Sequence, residues 1–213
     1  GTTHFSRISH NCFLASSPTE SFHPAHTRII RRHDPFAHCR DLPESQKRKP
    51  RDNDVIVCVQ GDEPMLRPQM IAAVVNTLKK NRSAQASLLA INILTKKDFL
   101  NPDTVKVVAD LKGEVLYTSR SPIPYSKNFS IKNNPKRIGG IFAFRYSFLK
   151  KYNKLKISRL EQIESCGQNR VCDKTKGMYV APYKYRPSFS VDTYSDLKLV
   201  NRLIAKDPLT YKY

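Results

Sequence analysis

The segment that most constrains the fold is the apolar run at residues 55–59, Val-Ile-Val-Cys-Val, which stops at Gln60 and Gly61 and is followed by Asp62 and Glu63. Five consecutive apolar residues, four of them Val or Ile, favour a fully buried strand of a parallel sheet over a helix. In open α/β sheets, ligands bind outside the carboxyl ends of strands. The run therefore predicts a sheet that delivers a carboxylate to a site.

Two acids at strand ends are candidate ligands for a cation. Asp62 follows the apolar run, and Asp192 lies near the end of a second strand-like segment at residues 189–193, before an amphipathic helix. Magnesium takes one or two protein carboxylates and leaves its other positions to water and phosphate, which suits this pair. The alternatives are that Asp62 lies in a solvated turn before a helix near Pro68, and that Asp192 only serves a helix N-terminus.

The remaining chain alternates helix and strand patterns, which is typical of an α/β fold. Apolar residues recur at helical spacing over residues 68–78. Strand patterns follow at residues 86–91, 138–145 and 179–183. In the second of these strands, Gly139 and Gly140 permit a bulge or a close approach of the backbone to a ligand, but plain strand packing is the preferred interpretation.

A turn signal and a capping signal refine this pattern. The turn Asp110-Leu111-Lys112-Gly113 separates two strand-like segments, residues 105–109 and 114–118, and predicts a hairpin. Ser158 and Glu161 have the spacing of a capping box, which predicts a helix that runs to about residue 170. We therefore expect structural roles for Glu161 and Glu164.

The size and charge of the chain limit the function classes. With 213 residues and 39% hydrophobic content, the chain can bury one sizeable α/β core. The formal charge of +19 makes a basic nucleic-acid-binding protein a rival interpretation. The lysines are dispersed and no nucleic-acid motif accompanies them, so a solvated basic surface is favoured, and nucleic acid is not an expected partner.

The cysteines and the hydropathy pattern bear on the compartment. Five cysteines form an odd set without close pairing, and Cys58 lies inside the apolar run. We expect reduced thiols. No apolar run approaches the length needed to cross a membrane, so the sequence predicts a soluble cytoplasmic chain without a membrane partner.

Six segments, taken in order, resemble the 3-deoxy-manno-octulosonate cytidylyltransferase (CMP-KDO synthetase) family. They are residues 60–64, 101–108, 116–124, 141–145, 160–164 and 191–193. The resemblance covers roughly the last three quarters of the chain and is specific because so many segments agree in order. It implies a three-layer, Rossmann-like nucleotide-diphospho-sugar transferase fold with a mixed sheet, incomplete at the N-terminus.

The resemblance also implies a reaction. The anomeric hydroxyl of an eight-carbon acidic sugar attacks the α-phosphorus of CTP, pyrophosphate leaves, and a CMP-sugar for lipopolysaccharide-type polysaccharide synthesis forms. By the family pattern, Asp62 and Asp192 are catalytic and ligate Mg²⁺, and Gln60 contacts the sugar. Further substrate contacts fall on Arg120, Lys127 and Gln168. The family is typically homodimeric.

Four positions depart from the family pattern. Lys127 stands where the family often has Arg, so a bidentate grip on a carboxylate is lost. Ile138 replaces a His, Phe142 a Tyr and Gly167 a Glu, so the sugar pocket lacks three polar groups. A site that discriminates through such groups then accepts a relative of KDO or has weak activity.

Residues 1–54 do not resemble the family. The family's opening strand and its loop of the kind Pro-Ala-Arg-x-x-Ser-x-Arg-Leu-Pro-x-Lys, which cradles the triphosphate, do not occur there, whereas all six histidines do. We expect an atypical, poorly ordered segment over residues 1–54 and a cytidylyltransferase-like domain over residues 55–213. A truncated or frame-shifted gene product, a divergent N-terminus and a catalytically silent remnant are the alternatives.

Overall fold

The computed structural model describes residues 10–15, 30–32, 50–184, 191 and 194–207. The strands and helices within these ranges are β1 (His10–Ala15), β2 (Ile30–Arg32), β3 (Val55–Val59), α1 (Pro68–Lys80), β4 (Ala86–Asn92), α2 (Lys96–Leu100), β5 (Lys106–Ala109), β6 (Val115–Ser119), β7 (Lys136–Arg145), α3 (Tyr146–Tyr152), α4 (Arg159–Glu164), α5 (Gln168–Lys174), β8 (Met178–Tyr183) and α6 (Tyr194–Ile204). A short 3₁₀ turn covers Ile131–Asn133.

The strands form one mixed sheet in the order β2-β1-β3-β7-β4-β8, and the β5–β6 hairpin joins it at the start of β7. Strand β4 runs parallel to β8 and antiparallel to β7. The predicted α/β fold with a mixed sheet is confirmed. The expectation that residues 55–59 belong to a parallel sheet is wrong, because β3 runs antiparallel to both β1 and β7.

Strand β3 is nevertheless buried along its whole length, as predicted. Alternate side chains of a strand point to opposite faces of the sheet, and here both faces are covered. Val55, Val57 and Val59 pack with Met70, Val74 and Leu78 of α1, whereas Ile56 and Cys58 belong to the cluster that holds Phe148 and Leu149 of α3 and Val171 of α5. The continuous apolar run therefore reports burial on two faces and not strand direction, and the three-layer arrangement follows from it.

The local signals are confirmed in part. The β5–β6 hairpin forms, with Gly113 at a φ of 85° in its turn, and Ser158 and Glu161 make the predicted capping box. The helix predicted to reach residue 170 is instead divided into α4 and α5. Ser165 adopts a left-handed φ of 51° between them and ends α4.

Two strands precede the apolar run in the chain. Strands β1 and β2 lie within residues 1–54, where β1 pairs with β3 from Asn11 opposite Val59 to Ala15 opposite Val55. Poor order over residues 1–54 stays a prediction.

Of the strand predicted at residues 189–193, only Val191 is described, and Asp192 lies outside the described residues. Among the helices described, none has the length and apolar character required to cross a bilayer.

The expectation that the cysteines are reduced thiols is wrong for one residue. Cys58 is disulfide-bonded, whereas Cys166 and Cys172 are free thiols. Spacing along the chain cannot show which cysteines the strand pairing brings together. Burial raises the pKa of the Cys172 thiol to about 12, so this side chain stays protonated and packs as a small apolar group.

Candidate functional site

The loop that follows β3 is fixed to the neighbouring strand β7 by backbone bonds. The Gln60 N–H donates to the Gly140 carbonyl at 2.8 Å, and the Glu63 N–H donates back to the Gln60 carbonyl at 3.2 Å, closing a tight turn. Asp62 lies within this turn, beyond the end of the buried strand. The acid predicted as a ligand is therefore held at the edge of the core by two adjacent strands.

Gly140 allows the loop and β7 to approach closely. Its N–H donates to Oε1 of the buried Glu63 at 3.0 Å. A Cβ at this position would lie 2.5 Å from Gln60 Oε1 and 2.7 Å from Glu63 Cγ. Leu88 of β4 pairs with Phe142 but Leu89 pairs with Gly139, so β7 bulges at Gly140 and Ile141. The preferred interpretation, plain strand packing, is therefore wrong for Gly140, which is explained by a bulge and by the close approach of the loop after β3.

One carboxylate oxygen of Asp62 receives no hydrogen bond from the described residues. Within the described part of the chain, its Oδ1 is buried and accepts no hydrogen bond. An unsatisfied buried polar atom costs about 1–3 kcal/mol, and more when it is charged. The backbone carbonyl of Asp62 accepts from the N–H of Val191 at 2.9 Å, so the residue before Asp192 in sequence lies against the loop.

The Asp62 carboxylate is the kind of oxygen donor that magnesium takes. No group of three or more His, Cys, Asp and Glu side chains suited to a metal occurs among the described residues. Magnesium does not need such a cage, because it is usually held by one or two carboxylates, with water and phosphate as its other ligands. An oxygen of Asp62 that lacks a donor is available for that role.

A second cluster of polar residues lies at the end of β6, where the Glu164 carboxylate of α4 accepts hydrogen bonds from three donors. Its Oε1 accepts from Tyr117 Oη–H at 2.7 Å and from Ser119 Oγ–H at 2.7 Å, and its Oε2 accepts from the Arg120 N–H at 2.9 Å. The Arg120 side chain donates from Nε to the Glu164 carbonyl at 3.0 Å and from Nη1 to the Pro102 carbonyl at 3.1 Å. Arg120 thus connects three segments of the chain.

These bonds shift the acidities of both partners. Burial acts to raise the pKa of Glu164, but the hydrogen bonds from Arg120, Ser119 and Tyr117 outweigh burial and hold the pKa below its ordinary value. The hydrogen bond to this carboxylate raises the pKa of Tyr117 to about 12. Glu164 is therefore a charged acceptor and Tyr117 a neutral donor at neutral pH.

Lys106 approaches Arg120 from the opposite side. Its side chain is fully buried, and Nζ donates to the Asn101 carbonyl at 2.7 Å and to the Arg120 carbonyl at 2.5 Å. Burial, followed by the charge of Arg120, holds the pKa of Lys106 below its ordinary value. Nothing in the sequence predicted this lysine, since a Lys in a strand normally points to solvent.

The other predicted site residues have different environments. Lys127 is exposed in the irregular loop after Pro124. Gln168 is buried in the first turn of α5, where its side chain is hydrogen-bonded to the Cys166 thiol. The structure brings Gln60 together with Asp62, and Arg120 together with Glu164. Strand β7 contacts both groups, since Arg137 pairs with Lys106 of β5 and Gly140 contacts the loop after β3.

The three positions that lack the family's polar pocket groups, Ile138, Phe142 and Gly167, offer none in the structure either. Phe142 is buried against Phe144, with ring centroids 6.5 Å apart, and Ile138 packs at the edge of the same core cluster. Gly167 precedes α5, and its carbonyl accepts from Tyr152 Oη–H at 3.3 Å. None of these positions offers a side-chain polar group to a ligand.

Comparisons with known proteins agree on one family. The model of the family described as "Cytidylyltransferase" matches residues 39–178, which is well over half of the chain. A 3-deoxy-manno-octulosonate cytidylyltransferase from Actinobacillus pleuropneumoniae serotype 7 is 36% identical over 72% of this chain and 64% of its own length. The enzyme of that name from Idiomarina loihiensis is 37% identical over 71% of this chain and 63% of its own length.

Solved structures give the same fold. The structure of CMP:2-keto-3-deoxy-manno-octonic acid synthetase complexed with CTP matches with a TM-score of 0.65 and 31% identity, over 71% of this chain and 62% of that one. The chain spans slightly less than two thirds of the length of the curated relatives it matches. The family match begins at residue 39, before the boundary expected at residue 54.

Proposed function

The chain belongs to the cytidylyltransferase family, as its sequence predicts, and we propose that it transfers CMP from CTP to an acidic, KDO-like 3-deoxy-octulosonate with release of pyrophosphate. The observation that carries this proposal is the buried Asp62 Oδ1 at the end of β3, which accepts no hydrogen bond within the described part of the chain. An acceptor of this kind at a strand end suits a cation that binds a nucleoside triphosphate. The CTP in a solved relative with the same fold supports the choice of nucleotide.

In this proposal, Asp62 and Asp192 hold Mg²⁺. The hydrogen bond from the Val191 N–H to the Asp62 carbonyl supports the pairing, because Asp192 is the next residue in the sequence. When bound, Mg²⁺ neutralises phosphate charge and helps to align the attacking and leaving oxygens. The chain's own contribution is to hold Asp62, whose Oδ1 has no competing donor within the described residues, in a turn that Gly140 and Glu63 fix in place.

The sugar end of the site is assigned to Gln60, Arg120, Lys127 and Gln168. Gln60 lies in the turn that holds Asp62, so a sugar that it contacts would lie close to the metal-bound phosphates. Arg120 and the exposed Lys127 supply positive charge for the carboxylate of an acidic sugar. The formal charge of +19 favours the approach of both anionic substrates.

The substituted pocket positions refine the proposed sugar acceptor and support a second candidate function. Ile138, Phe142 and Gly167 provide no polar side chain for sugar hydroxyls. Because unmatched hydroxyls weaken discrimination, we propose that the acceptor is a relative of KDO or that KDO is used slowly. The second candidate, favoured by the same three residues, is a catalytically silent relative that keeps the fold.

Two further features belong to the proposal. A homodimer is assigned from the family, and the cytoplasm is assigned as the compartment in which CTP is available. The disulfide at Cys58 counts against a fully reducing environment, so a thiol titration of the freshly purified protein is the direct check on the compartment.

The experiment that tests the proposal is a pyrophosphate-release assay with CTP, Mg²⁺ and a panel of 3-deoxy acidic sugars. The wild type should release pyrophosphate only with both metal and sugar, and Asp62→Asn should abolish the release. Asp173→Asn is the matched control, because this carboxylate is exposed on α5. Release that is unchanged in Asp62→Asn removes this residue from the metal role. CTP binding without any turnover supports the silent relative, and salt-dependent RNA binding supports the nucleic-acid rival.

A further inference from the structure

The backbone of Arg120 is held from both sides by ionisable side chains of two different elements. Glu164 of α4 accepts its N–H at 2.9 Å, and the buried Lys106 of β5 donates to its carbonyl at 2.5 Å. One residue whose N–H and C=O both bond to charged side chains has little freedom to rotate about its backbone dihedrals. Charge-assisted bonds are also roughly twice as strong as neutral ones.

Glu164 also controls the first turn of the loop that leaves β6. Ser119 Oγ–H donates to Glu164 Oε1 at 2.7 Å, and the same Oγ accepts from the Ser121 N–H at 2.9 Å. The hydroxyl therefore relays the position of the carboxylate to the backbone of the loop. Removing the carboxylate oxygen would release Ser119 and Ser121 together.

Beyond these anchors the loop is held again at Ser126, whose Oγ–H donates to the Asn128 carbonyl at 2.5 Å and whose Oγ accepts from Asn133 Nδ2–H at 3.0 Å. Residues 120–127 contain no helix or strand, and Tyr125 is 89% exposed. Lys127, at the end of this stretch, is exposed. The direction in which the loop leaves the sheet is set where it begins, at Arg120.

We infer that Glu164 and Lys106 are positioning residues for the loop at residues 120–127, which presents Arg120 and Lys127 to the carboxylate of the sugar. This inference rests on the proposed function for the identity of the ligand. It does not depend on that function for the effect on the loop. Glu164 and Lys106 themselves do not contact substrate.

The test compares Glu164→Gln and Lys106→Met with Glu161→Gln. Glu161 is the other carboxylate of α4, and its bonds to the Ser158 cap and to Arg170 stay within α4 and α5. It therefore reports what the loss of a half-buried α4 carboxylate does to stability alone. Amide hydrogen exchange read by mass spectrometry on the full chain gives a local readout that needs no activity.

The expected result is faster exchange confined to peptides that cover residues 119–127 in Glu164→Gln and Lys106→Met, but not in Glu161→Gln. In turnover assays, KM for the sugar should rise about tenfold while KM for CTP stays unchanged, since about one charge-assisted contact is misplaced. Unchanged exchange in that segment, or exchange that increases equally throughout the chain, overturns the inference. A wild type that turns over no sugar refutes the proposed function, while the exchange data still decide whether Glu164 and Lys106 position the loop.

Discussion

Replacing Gly140 by Ala should disable the Asp62 loop while leaving the rest of the fold intact. The added Cβ would lie 2.5 Å from Gln60 Oε1, 2.7 Å from Glu63 Cγ and 3.0 Å from Gln60 Cβ. The Gln60 amide lies at the far end of a flexible side chain. Glu63 is constrained, because it is buried and its Oε1 accepts the Gly140 N–H itself.

The free energy cost is that of overpacking a well-packed site, about 1–3 kcal/mol. For a chain of this size, each kcal/mol lowers Tm by roughly 2–4 °C. The functional loss should exceed what this destabilisation explains, because the turn that carries Asp62 must shift. We expect Mg²⁺-dependent CTP binding to weaken by about tenfold or more, the size of one lost charge-assisted interaction.

Gly139→Ala is the matched control for this prediction. Its Cβ would lie 2.9 Å from Leu89 Cδ2 and 3.0 Å from Ile91 Cδ1, so it also overpacks the core, but against side chains of β4 and not against Gln60 or Glu63. Calorimetric titration with CTP and thermal unfolding should be measured on both variants. If Gly139→Ala and Gly140→Ala lose binding equally for equal losses of Tm, the close approach at Gly140 has no specific role.

Three further predictions concern the sugar pocket and the Glu164 network. Combining Ile138→His with Gly167→Glu should increase turnover of KDO in the pyrophosphate-release assay, and no gain would show that the native sugar differs. Because the folded pKa of Glu164 lies below its ordinary value of 4.5, its stabilising effect is complete above that pH and is lost as the pH falls through the folded pKa. The difference in unfolding free energy between wild type and Glu164→Gln in urea should therefore shrink in acid, and a constant difference would contradict the network. Since the pKa of Tyr117 rises from 10.0 to about 12, its contribution is complete below pH 10 and is lost towards pH 12; the difference in phenolate absorbance between wild type and Tyr117→Phe should show a late-titrating tyrosine, and a midpoint near 10 would refute it.

The sequence predicts the central strand and the position of Asp62 correctly, because an apolar run and the acid that ends it are local features. Strand direction is not local, which explains why the antiparallel neighbours of β3 were missed. The break between α4 and α5 was missed for a different reason. It depends on a left-handed Ser165, a conformation that serine does not signal as glycine would.

The Glu164 network shows the limit of pattern reasoning for the site. Its partners lie 44 to 47 residues away in sequence, and no spacing rule connects them. Glu164 was correctly expected to be structural, but from helix capping and not from these contacts. Lys106 could not be predicted at all, since only the packing of β5 against β7 shows that its side chain is buried.

The most direct test of the central claim is calorimetric titration of CTP into the full chain, with Mg²⁺ and then with a chelator, for wild type, Asp62→Asn and Asp173→Asn. The account predicts that wild type and Asp173→Asn bind CTP only with Mg²⁺, and that Asp62→Asn loses about tenfold or more in affinity with no loss of Tm in the absence of metal. CTP binding by Asp62→Asn that equals the wild type, or wild-type binding that does not depend on Mg²⁺, would contradict it.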